Sequence, residues 1–351
     1  MPLTGWDKDI KNKSFCFVAY VDWNRMRNGT FRLLYRLVHD LNDEIREDIQ
    51  TVIGLFCPLC FASKEHIQLD GTEERKYSTK IIRYYCLICG NHFSTRTLSP
   101  FYRKQYPEVL IICALALFYE LRQSPREITR LIGLPVEEGI KRPTLKTVST
   151  WLMEYIYLFG LGGLDMMPDN SRKDIREADE LYKRINGERA YTLGTLDRES
   201  RFVYLSDAWK ADSKELQEFL MNSHLRFGSK PERYETDGWH GYQKPIEKFS
   251  IPHGVVFHKD EWKSKEGFHT NGMERYWSTY RLWLRTARGY KKMENSDIFS
   301  RGFETFYDFL RPHMTLKGNT PAQAKGIIEI QPWHHLIVKG MLVNESGWRS
   351  V

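Results

Sequence analysis

The sequence has 351 residues, of which 41% are hydrophobic and 28% are charged. This balance excludes a disordered or fibrous chain, and at about 100–200 residues per domain the length predicts two or three domains. The 52 Lys and Arg residues against 45 Asp and Glu residues give a net charge of +7. That modest excess is compatible with a polyanionic partner such as DNA but does not require one.

The apolar stretches are too short to cross a bilayer. The longest of them, residues 109–119, is well below the roughly 20 residues that a membrane-spanning helix needs. The N-terminal residues lack the charged-then-apolar order of a signal peptide. We therefore expect a cytoplasmic protein that does not bind a membrane.

The N-terminal segment contains one amphipathic pattern. Apolar residues recur at spacings of three and four over residues 30–41, which predicts a helix. Such a helix can pack on the next domain, mediate self-association or simply cap the fold, and the pattern does not distinguish these roles.

Four of the six cysteines form two pairs, Cys57-Pro-Leu-Cys60 and Cys86-Leu-Ile-Cys89, separated by 25 residues. Two such pairs favour a structural Zn²⁺ site, because zinc binds four thiolates in a tetrahedron and each tight turn supplies two of them. The alternatives are a disulfide, which fits poorly in the cytosol, and a redox pair, which would not explain two copies. His92 is a fifth residue of ligand type, but four cysteines already close the site. Strand-forming residues around the second pair predict a zinc ribbon over residues 51–100.

The next segment has the pattern of three helices, over residues 106–121, 124–133 and from 144 onward. Ser124 and Thr144 are candidate N-caps, and Pro125 suits the first helical position. This order resembles a helix-turn-helix, although the connector 134–142 is longer than usual, and an ordinary helical bundle with a basic face remains the alternative. Candidate DNA contacts around the third helix are Lys141, Arg142, Lys146, Thr147 and Ser149.

Glycines at 160, 162 and 163, together with residues 168–171, predict a linker. Beyond it the periodicity changes to that of an α/β domain. The predicted order is three strands, a helix, a strand, a helix, a strand and a helix, which is the element order of a ribonuclease-H-like fold. The ranges are residues 175–183, 188–195, 201–205, 212–221, 233–237, a helix between strands, 254–259 and 271–288.

Three acids occupy meaningful positions in this order. Asp179 lies on the first strand, Asp237 at the end of the fourth and Glu274 near the start of the last helix. Such a fold brings them to one end of the sheet, where carboxylate oxygens suit a pair of Mg²⁺ ions. Each acid on its own is equally well explained as a surface carboxylate, so the joint pattern carries the prediction.

Three other acids compete with this assignment. Glu180 adjoins Asp179, but side chains alternate along a strand, so Glu180 would face the other side of the sheet. Asp197 lies in a turn and is better explained as structural. Asp207 ends the third strand and fits poorly the position that the family resemblance described next would give the second acid.

At these residues the sequence resembles the DDE transposases of bacterial and archaeal insertion sequences. The run Asp179-Glu-Leu-Tyr resembles their first motif, Thr236-Asp237-Gly with Tyr242 resembles their second, and Asn271-Gly-Met-Glu274-Arg resembles their third. The 36 residues between Asp237 and Glu274 are close to the family's usual spacing. The resemblance covers residues 50–325, and its specificity lies in the joint order of the ribbon, the helices and the acids.

The resemblance implies the site and its cofactors. Asp179 would contact both catalytic metal ions, Mg²⁺ or Mn²⁺, while Asp237 and Glu274 would each bind one of them. It implies hydrolysis of a phosphodiester at the element end, followed by attack of the freed 3′ hydroxyl on target DNA. It also implies self-association on paired ends. Arg281, Arg285 and Arg288 share one face of the helix beyond Glu274 and are candidate phosphate contacts, the alternative being a solvated face.

Three aromatic residues near the acids, Trp239, Tyr242 and Trp277, are suited either to stacking on an unpaired base or to core packing. The sequence therefore predicts a multidomain DNA transposase with an Asp-Asp-Glu triad. The alternatives are an inactive transposase-derived DNA-binding regulator and a ribonuclease H or resolvase. The predicted units are an N-terminal helical segment (1–50), a zinc ribbon (51–100), a helix-turn-helix domain (101–160), an α/β ribonuclease-H-like catalytic domain (170–325) and a C-terminal tail (326–351).

Overall fold

The computed structural model describes residues 49, 53–75, 78–97, 99–102, 106, 108–132, 142–166, 168, 174–257, 267–287, 289–327 and 332–348. The helix predicted over residues 30–41 lies outside these ranges, as do Lys141 and Arg288. Among the described residues, no helix is long and apolar enough to cross a membrane.

The cysteine-rich segment folds as a small antiparallel sheet. Its strands, in the order β1-β2-β3, are β1 (Ile67–Arg75), β2 (Ser78–Cys86) and β3 (His92–Ser94). Strands β1 and β2 form an antiparallel hairpin between the two cysteine pairs. Its buried cluster consists of Cys57, Ala62, Tyr84, Cys86 and Phe93, and it is separate from the main core.

Three helices follow: α1 (Glu108–Tyr119), α2 (Pro125–Ile132) and α3 (Leu145–Asp165). Two predicted helix starts are confirmed. The Ser124 hydroxyl accepts a hydrogen bond from the backbone of Glu127 at 3.3 Å, and the Thr144 hydroxyl accepts one from Thr147 at 3.1 Å. Such caps satisfy backbone donors that have no partner within the helix. The three helices are present, and whether they read DNA as a helix-turn-helix stays a prediction.

The larger part of the chain is a five-stranded sheet covered by helices. Its strands are β4 (Ile175–Ile185), β5 (Glu188–Asp197), β6 (Val203–Ala208), β7 (Arg233–Asp237) and β8 (His253–Val256), in the order β6-β5-β4-β7-β8. The first three pair in antiparallel fashion, and β4, β7 and β8 are parallel. The helices are α4 (Ser213–Phe227), α5 (Gln243–Lys248), α6 (Asn271–Ala287), α7 (Met293–Thr305), which continues as a π-helical turn (Phe306–Leu310), α8 (Pro321–Ala324) and α9 (Trp333–Trp348). The predicted α/β element order is confirmed.

Helix α6 is held on the sheet by an aromatic stripe. Its buried residues recur at spacings of three and four and include Tyr276, Trp277, Tyr280 and Trp283. Fully burying one large apolar side chain contributes about 1.5–3 kcal/mol, so the stripe fixes which face of α6 meets the sheet. Helices α1 and α3 contribute to the same hydrophobic core, for example where Tyr119 stacks on Trp283 with ring centroids 5.4 Å apart.

The predicted linker is wrong at the glycines 160–163, because α3 continues through them, and residues 169–171 of that prediction lie outside the described ranges. These glycines allow close helix packing. A Cβ on Gly162 would lie 1.8 Å from the Leu336 carbonyl oxygen in α9, and one on Gly163 would lie 2.4 Å from the Thr305 hydroxyl in α7. The glycines that resemble helix breakers in the sequence are therefore the residues that let three helices approach one another.

Candidate active site and metal centre

Asp179 and Asp237 lie on neighbouring strands and on one face of the sheet. Strands β4 and β7 run parallel, with Glu177 opposite Glu235 in the register. Two residues further along each strand, on the same face, are Asp179 and Asp237. The strand pairing therefore brings together two acids that are 58 positions apart in the sequence.

Helix α6 adds the third acid at the same place. The Trp277 indole N–H donates a hydrogen bond to Asp179 Oδ2 at 2.9 Å, which ties the helix to β4. Glu274 lies in the first turn of this helix, about one turn before Trp277. Gly194 on β5, opposite Asp179, permits this approach, since a Cβ there would lie 2.2 Å from the Met273 methyl carbon.

The electrostatics of Asp179 reflect the two other acids. Burial, followed by the negative charges of Asp237 and Glu274, raises the pKa of Asp179 to about 7, although hydrogen bonds from the Glu180 backbone and Trp277 oppose the shift. One Asp237 carboxylate oxygen accepts a hydrogen bond from the Trp239 backbone at 3.0 Å. Clustered negative charge on hard oxygen ligands is the donor chemistry that Mg²⁺ or Mn²⁺ binds.

The rival acids have other contacts. Burial and the neighbouring Asp179 charge raise the pKa of Glu180 to about 8, and Tyr242 lies beside Glu180. Asp197 is paired with Lys325 at 2.6 Å, and Asp207 forms a buried ion pair with Lys183. Asp197 and Asp207 are therefore part of the ionic framework of the fold.

Sequence reasoning missed a second layer of charge directly beneath the site. The buried Glu177 accepts a hydrogen bond from the Met273 backbone at 2.9 Å, and the buried Glu235 accepts one from the His269 backbone at 2.8 Å. Arg198 forms ion pairs with both of these glutamates. The layer thus fixes the start of α6, and with it Glu274, against β4 and β7. The sequence feature that could have revealed this layer is a glutamate two residues before each aspartate, Glu177 before Asp179 and Glu235 before Asp237.

The predicted nucleic-acid contacts that the structure describes lie mostly at the surface. Arg281 and Arg285 are on α6, and both are exposed. Arg142 and Lys146 are exposed at the start of α3, whereas Thr147 and Ser149 there are less exposed. Of the three aromatic candidates, Trp277 and Tyr242 are buried and belong to the core, whereas Trp239 is 37% exposed. Stacking on a base is therefore open to Trp239 alone among the three.

The four predicted zinc ligands converge. Their sulfur atoms all lie within 4.8 Å of one another, with 3.5 Å between Cys57 and Cys89 and 3.5 Å between Cys60 and Cys86. These separations are too long for a disulfide and are close to the roughly 3.8 Å expected between thiolates around one Zn²⁺. Among the described residues, no other three His, Cys, Asp or Glu side chains have their ligand atoms all within this distance of one another. The carboxylate oxygens of Asp179, Asp237 and Glu274 are therefore more widely separated than the four sulfur atoms.

The surroundings of the four cysteines favour thiolate ligands and leave His92 outside the site. The Cys89 backbone N–H donates to the Cys86 sulfur and lowers the pKa of Cys86, which favours the thiolate that zinc requires. His92 lies outside the group and pairs instead with Asp70 at 2.8 Å. The Cys₄ donor set therefore fits zinc without a histidine ligand.

Comparison with known proteins identifies the α/β domain. Residues 174–313 match a family model described as a DDE domain (DDE_Tnp_IS240). Similar solved structures include the HTLV-2 integrase catalytic core domain in complex with magnesium, in its trimeric form, at 15% identity and a TM-score of 0.33, covering 44% of this chain and 96% of that one. Another is the simian T-cell lymphotropic virus intasome in complex with the PP2A regulatory subunit B56 gamma, at 12% identity and a TM-score of 0.35, covering 60% and 74%. No curated protein matches the chain.

Residues 174–313 therefore form a DDE domain. The matched residues contain the whole five-stranded sheet and all three predicted acids. The resemblance to DDE-type insertion-sequence transposases, predicted from the sequence, is confirmed over these residues.

The raised pKa values predict how stability responds to pH and metal. Asp179 and Glu180, with pKa values of about 7 and about 8, hold protons in the folded state that the unfolded chain has already released. In buffer without divalent ions the free energy of unfolding should therefore fall as the pH rises from about 5 to about 8. If the acids hold Mg²⁺ as expected, they would do so in their deprotonated form, so millimolar Mg²⁺ should stabilise the protein more at about pH 8 than at about pH 6.

Urea unfolding at several pH values, with and without Mg²⁺, measures this effect. Asp179→Asn is the matched control, because it keeps the shape of the side chain but cannot release the proton. It should show a smaller pH dependence and little response to Mg²⁺. An equal response to Mg²⁺ in the wild type and the variant would contradict the assignment of Asp179 as a metal ligand.

Proposed function

We propose that this protein is a DNA transposase that cleaves DNA at element ends and joins them to target DNA, using Asp179, Asp237 and Glu274 as ligands of two Mg²⁺ or Mn²⁺ ions. The observation that carries the proposal is the convergence of these acids on one face of a DDE domain, where burial and then the charges of the other two acids raise the pKa of Asp179. The family match by itself supports a less specific conclusion, namely that the chain has a domain of the kind with which transposases cleave nucleic acids.

In this proposal the side chains hold and orient the reacting groups. Asp179 would contact both ions, Asp237 one of them and Glu274 the other. When bound, such an ion pair activates the attacking oxygen and stabilises the leaving oxygen of an in-line displacement. Trp277 fixes the Asp179 carboxylate through its hydrogen bond, and the Arg198 layer fixes the first turn of α6. No protein nucleophile is required.

The remaining parts would bring DNA to this site. Arg281 and Arg285, with Arg288, would bind backbone phosphates beside Glu274. The cations and hydroxyls around the start of α3 would contact element ends as part of a helix-turn-helix, and the Cys₄ sheet would be a structural zinc ribbon. We further propose that the protein self-associates on paired ends and that the five sequence-defined units correspond to its functional parts.

A cleavage and joining assay tests this function. The DNA would be the gene with its own flanking sequence, incubated with Mg²⁺ or Mn²⁺ and a second DNA as the target. We expect the wild type to nick at discrete positions and to join those ends, and Asp237→Ala to bind DNA without doing either. Asp165→Ala, which removes an exposed aspartate at the end of α3, is the matched control and should remain active.

The failing outcomes are distinct. If wild type and Asp237→Ala both bind DNA and neither cuts it, the chain acts as a DNA-binding regulator instead. If Asp237→Ala cuts as fast as the wild type, the assignment of Asp237 is wrong.

A further inference from the structure

An open pocket of about 300 Å³ lies beside the start of α6. Its wall comes from three separate parts of the chain: helix α6, the turn between β5 and β6, and the segment after the π-helical turn. The residues that matter are Arg201, Arg275, Thr279, Arg311, His313 and Met314. Arg275 directly follows Glu274 in α6, about 100° further around the helix.

Three arginines from these three segments meet at the pocket. Among the described residues, none of the three has a guanidinium nitrogen within 4 Å of a carboxylate oxygen. Arg198, Arg226 and Arg233, nearby in the fold, all form such ion pairs. Arg311 lies over the Tyr307 ring, 5.4 Å from its centroid, which limits where its guanidinium can point. Converging guanidinium groups without acidic partners are the usual recognition element for phosphate, since each presents a planar fork of donors.

The backbone of Arg201 has a conformation that is unfavourable for arginine. Its φ of 63° lies in the left-handed region that favours glycine, in a turn closed by the hydrogen bond from its N–H to the Asp197 carbonyl at 2.9 Å. Gly272 makes room for it, because a Cβ there would lie 2.4 Å from the Arg201 guanidinium and 2.8 Å from a carboxylate oxygen of Glu177, which is itself paired with Arg198. An arginine held in an unfavourable conformation beside an obligatory glycine points to a role for its charge.

His313 lies half-buried in the pocket wall, near Arg311 and Arg201. Burial, and then the charges of Arg311 and Arg201, lower the pKa of His313 to about 4, so its ring is neutral at physiological pH. Its Nε2 atom is buried and has no hydrogen-bond partner among the described residues. The wall thus offers a neutral ring nitrogen beside three permanent cations.

We propose that this pocket binds a backbone phosphodiester of the DNA strand that runs past Glu274. The proposal rests on the proposed function for its ligand, and it adds a phosphate site to the α6 contacts expected from Arg281 and Arg285. Arg275 and Arg311 would form charge-assisted hydrogen bonds to the phosphate, and Arg201 would supply further positive charge from the sheet side.

The salt dependence of DNA binding tests the proposal without requiring cleavage. Full-length wild type, Arg275→Gln/Arg311→Gln and the control Lys210→Gln/Lys214→Gln would be titrated onto a fluorescein-labelled duplex by anisotropy at several salt concentrations. The control removes the same charge from exposed lysines at the start of α4. We expect the arginine pair to weaken binding about tenfold and to reduce the magnitude of the salt slope by about 1–2, and the lysine pair to change neither comparably.

A second measurement locates the DNA in an otherwise native chain. Met314 lines the pocket and is 97% exposed, whereas Met221 on α4 is 49% exposed. Each would be replaced in turn by the photocrosslinker p-benzoylphenylalanine. We expect irradiation to crosslink the labelled duplex through position 314 and not through position 221.

The outcomes separate this pocket from the active site. If the arginine pair binds DNA with wild-type affinity and salt slope, or if position 314 crosslinks no more than position 221, the pocket proposal is overturned even when cleavage and joining occur. If the pocket results are as expected but the wild type neither cuts nor joins DNA, the phosphate site stands and the proposed transposase activity fails.

Discussion

Asp179→Asn is expected to slow DNA cleavage and joining by about a thousandfold or more, whereas Glu180→Gln should stay within about tenfold of wild type. The two acids are adjacent in the sequence, and burial raises the pKa of both. They differ in direction, because side chains alternate along β4. Asp179 meets Trp277 and the charges of Asp237 and Glu274. Glu180 lies beside Tyr242, although the charges of Asp179 and Asp237 reach it as well.

The size of the effect follows from the chemistry proposed for Asp179. A carboxylate that contacts both ions contributes several kcal/mol of charge stabilisation in the transition state, and about 1.4 kcal/mol corresponds to a tenfold change in rate. The amide introduced by Asp179→Asn keeps the shape of the side chain but loses its negative charge. Single-turnover cleavage rates with saturating Mg²⁺ measure the difference directly.

Stability provides the control for misfolding. Both substitutions remove a buried carboxylate that is costly to ionise, so neither should lower the free energy of unfolding at about pH 8 in metal-free buffer. If Glu180→Gln loses activity as strongly as Asp179→Asn while both remain folded, then the two acids act together and the assignment by strand face is wrong.

The three candidate acids could be proposed from the sequence because each one lies within a short recognisable motif. A short motif surrounds each of the three acids, and strand alternation alone separated Asp179 from Glu180. The element order then predicted the α/β fold, since strand and helix periodicities differ clearly over residues 175–288. Parallel pairing of β4 with β7 is what makes the two aspartates neighbours.

Long-range partners could not be predicted, because nothing in the local sequence marks them. Glu304 accepts a hydrogen bond from the Leu205 backbone at 2.8 Å, and Asp308 accepts one from Val203 at 3.1 Å. These two acids satisfy donors along β6, the edge strand of the sheet, yet in the sequence they resemble ordinary helix-surface carboxylates. The Arg198 layer escaped prediction for the same reason.

The glycines in α3 show how composition can mislead. Glycine costs about 0.5–1 kcal/mol relative to alanine inside a helix, so a cluster of three predicts a break. Here the close contacts of Gly162 with α9 and of Gly163 with α7 outweigh that cost. Only knowledge of the neighbouring helices reveals that a side chain would not fit.

Loss of zinc should unfold the sheet β1–β3 while leaving the DDE domain folded. Over the part of the small sheet that the structure describes, the buried cluster contains five residues, two of which are predicted zinc ligands, and it is separate from the main core. So small a core cannot offset the conformational entropy of its strands without a metal ion. Structural zinc in small domains contributes about 10–16 kcal/mol of apparent binding free energy, which here would be folding free energy.

Cys89→Ser tests this dependence, with Cys113→Ser and His92→Gln as controls. Cys113 lies in α1, away from the Cys₄ group, and His92 pairs with Asp70 instead of joining the ligands. We expect Cys89→Ser to lose its zinc and to lose amide protection over residues 67–94, with protection of β4–β7 unchanged. Both controls should retain one zinc ion per chain. Stoichiometric zinc in Cys89→Ser, or its loss in His92→Gln, would show that the ligand set is not the four cysteines.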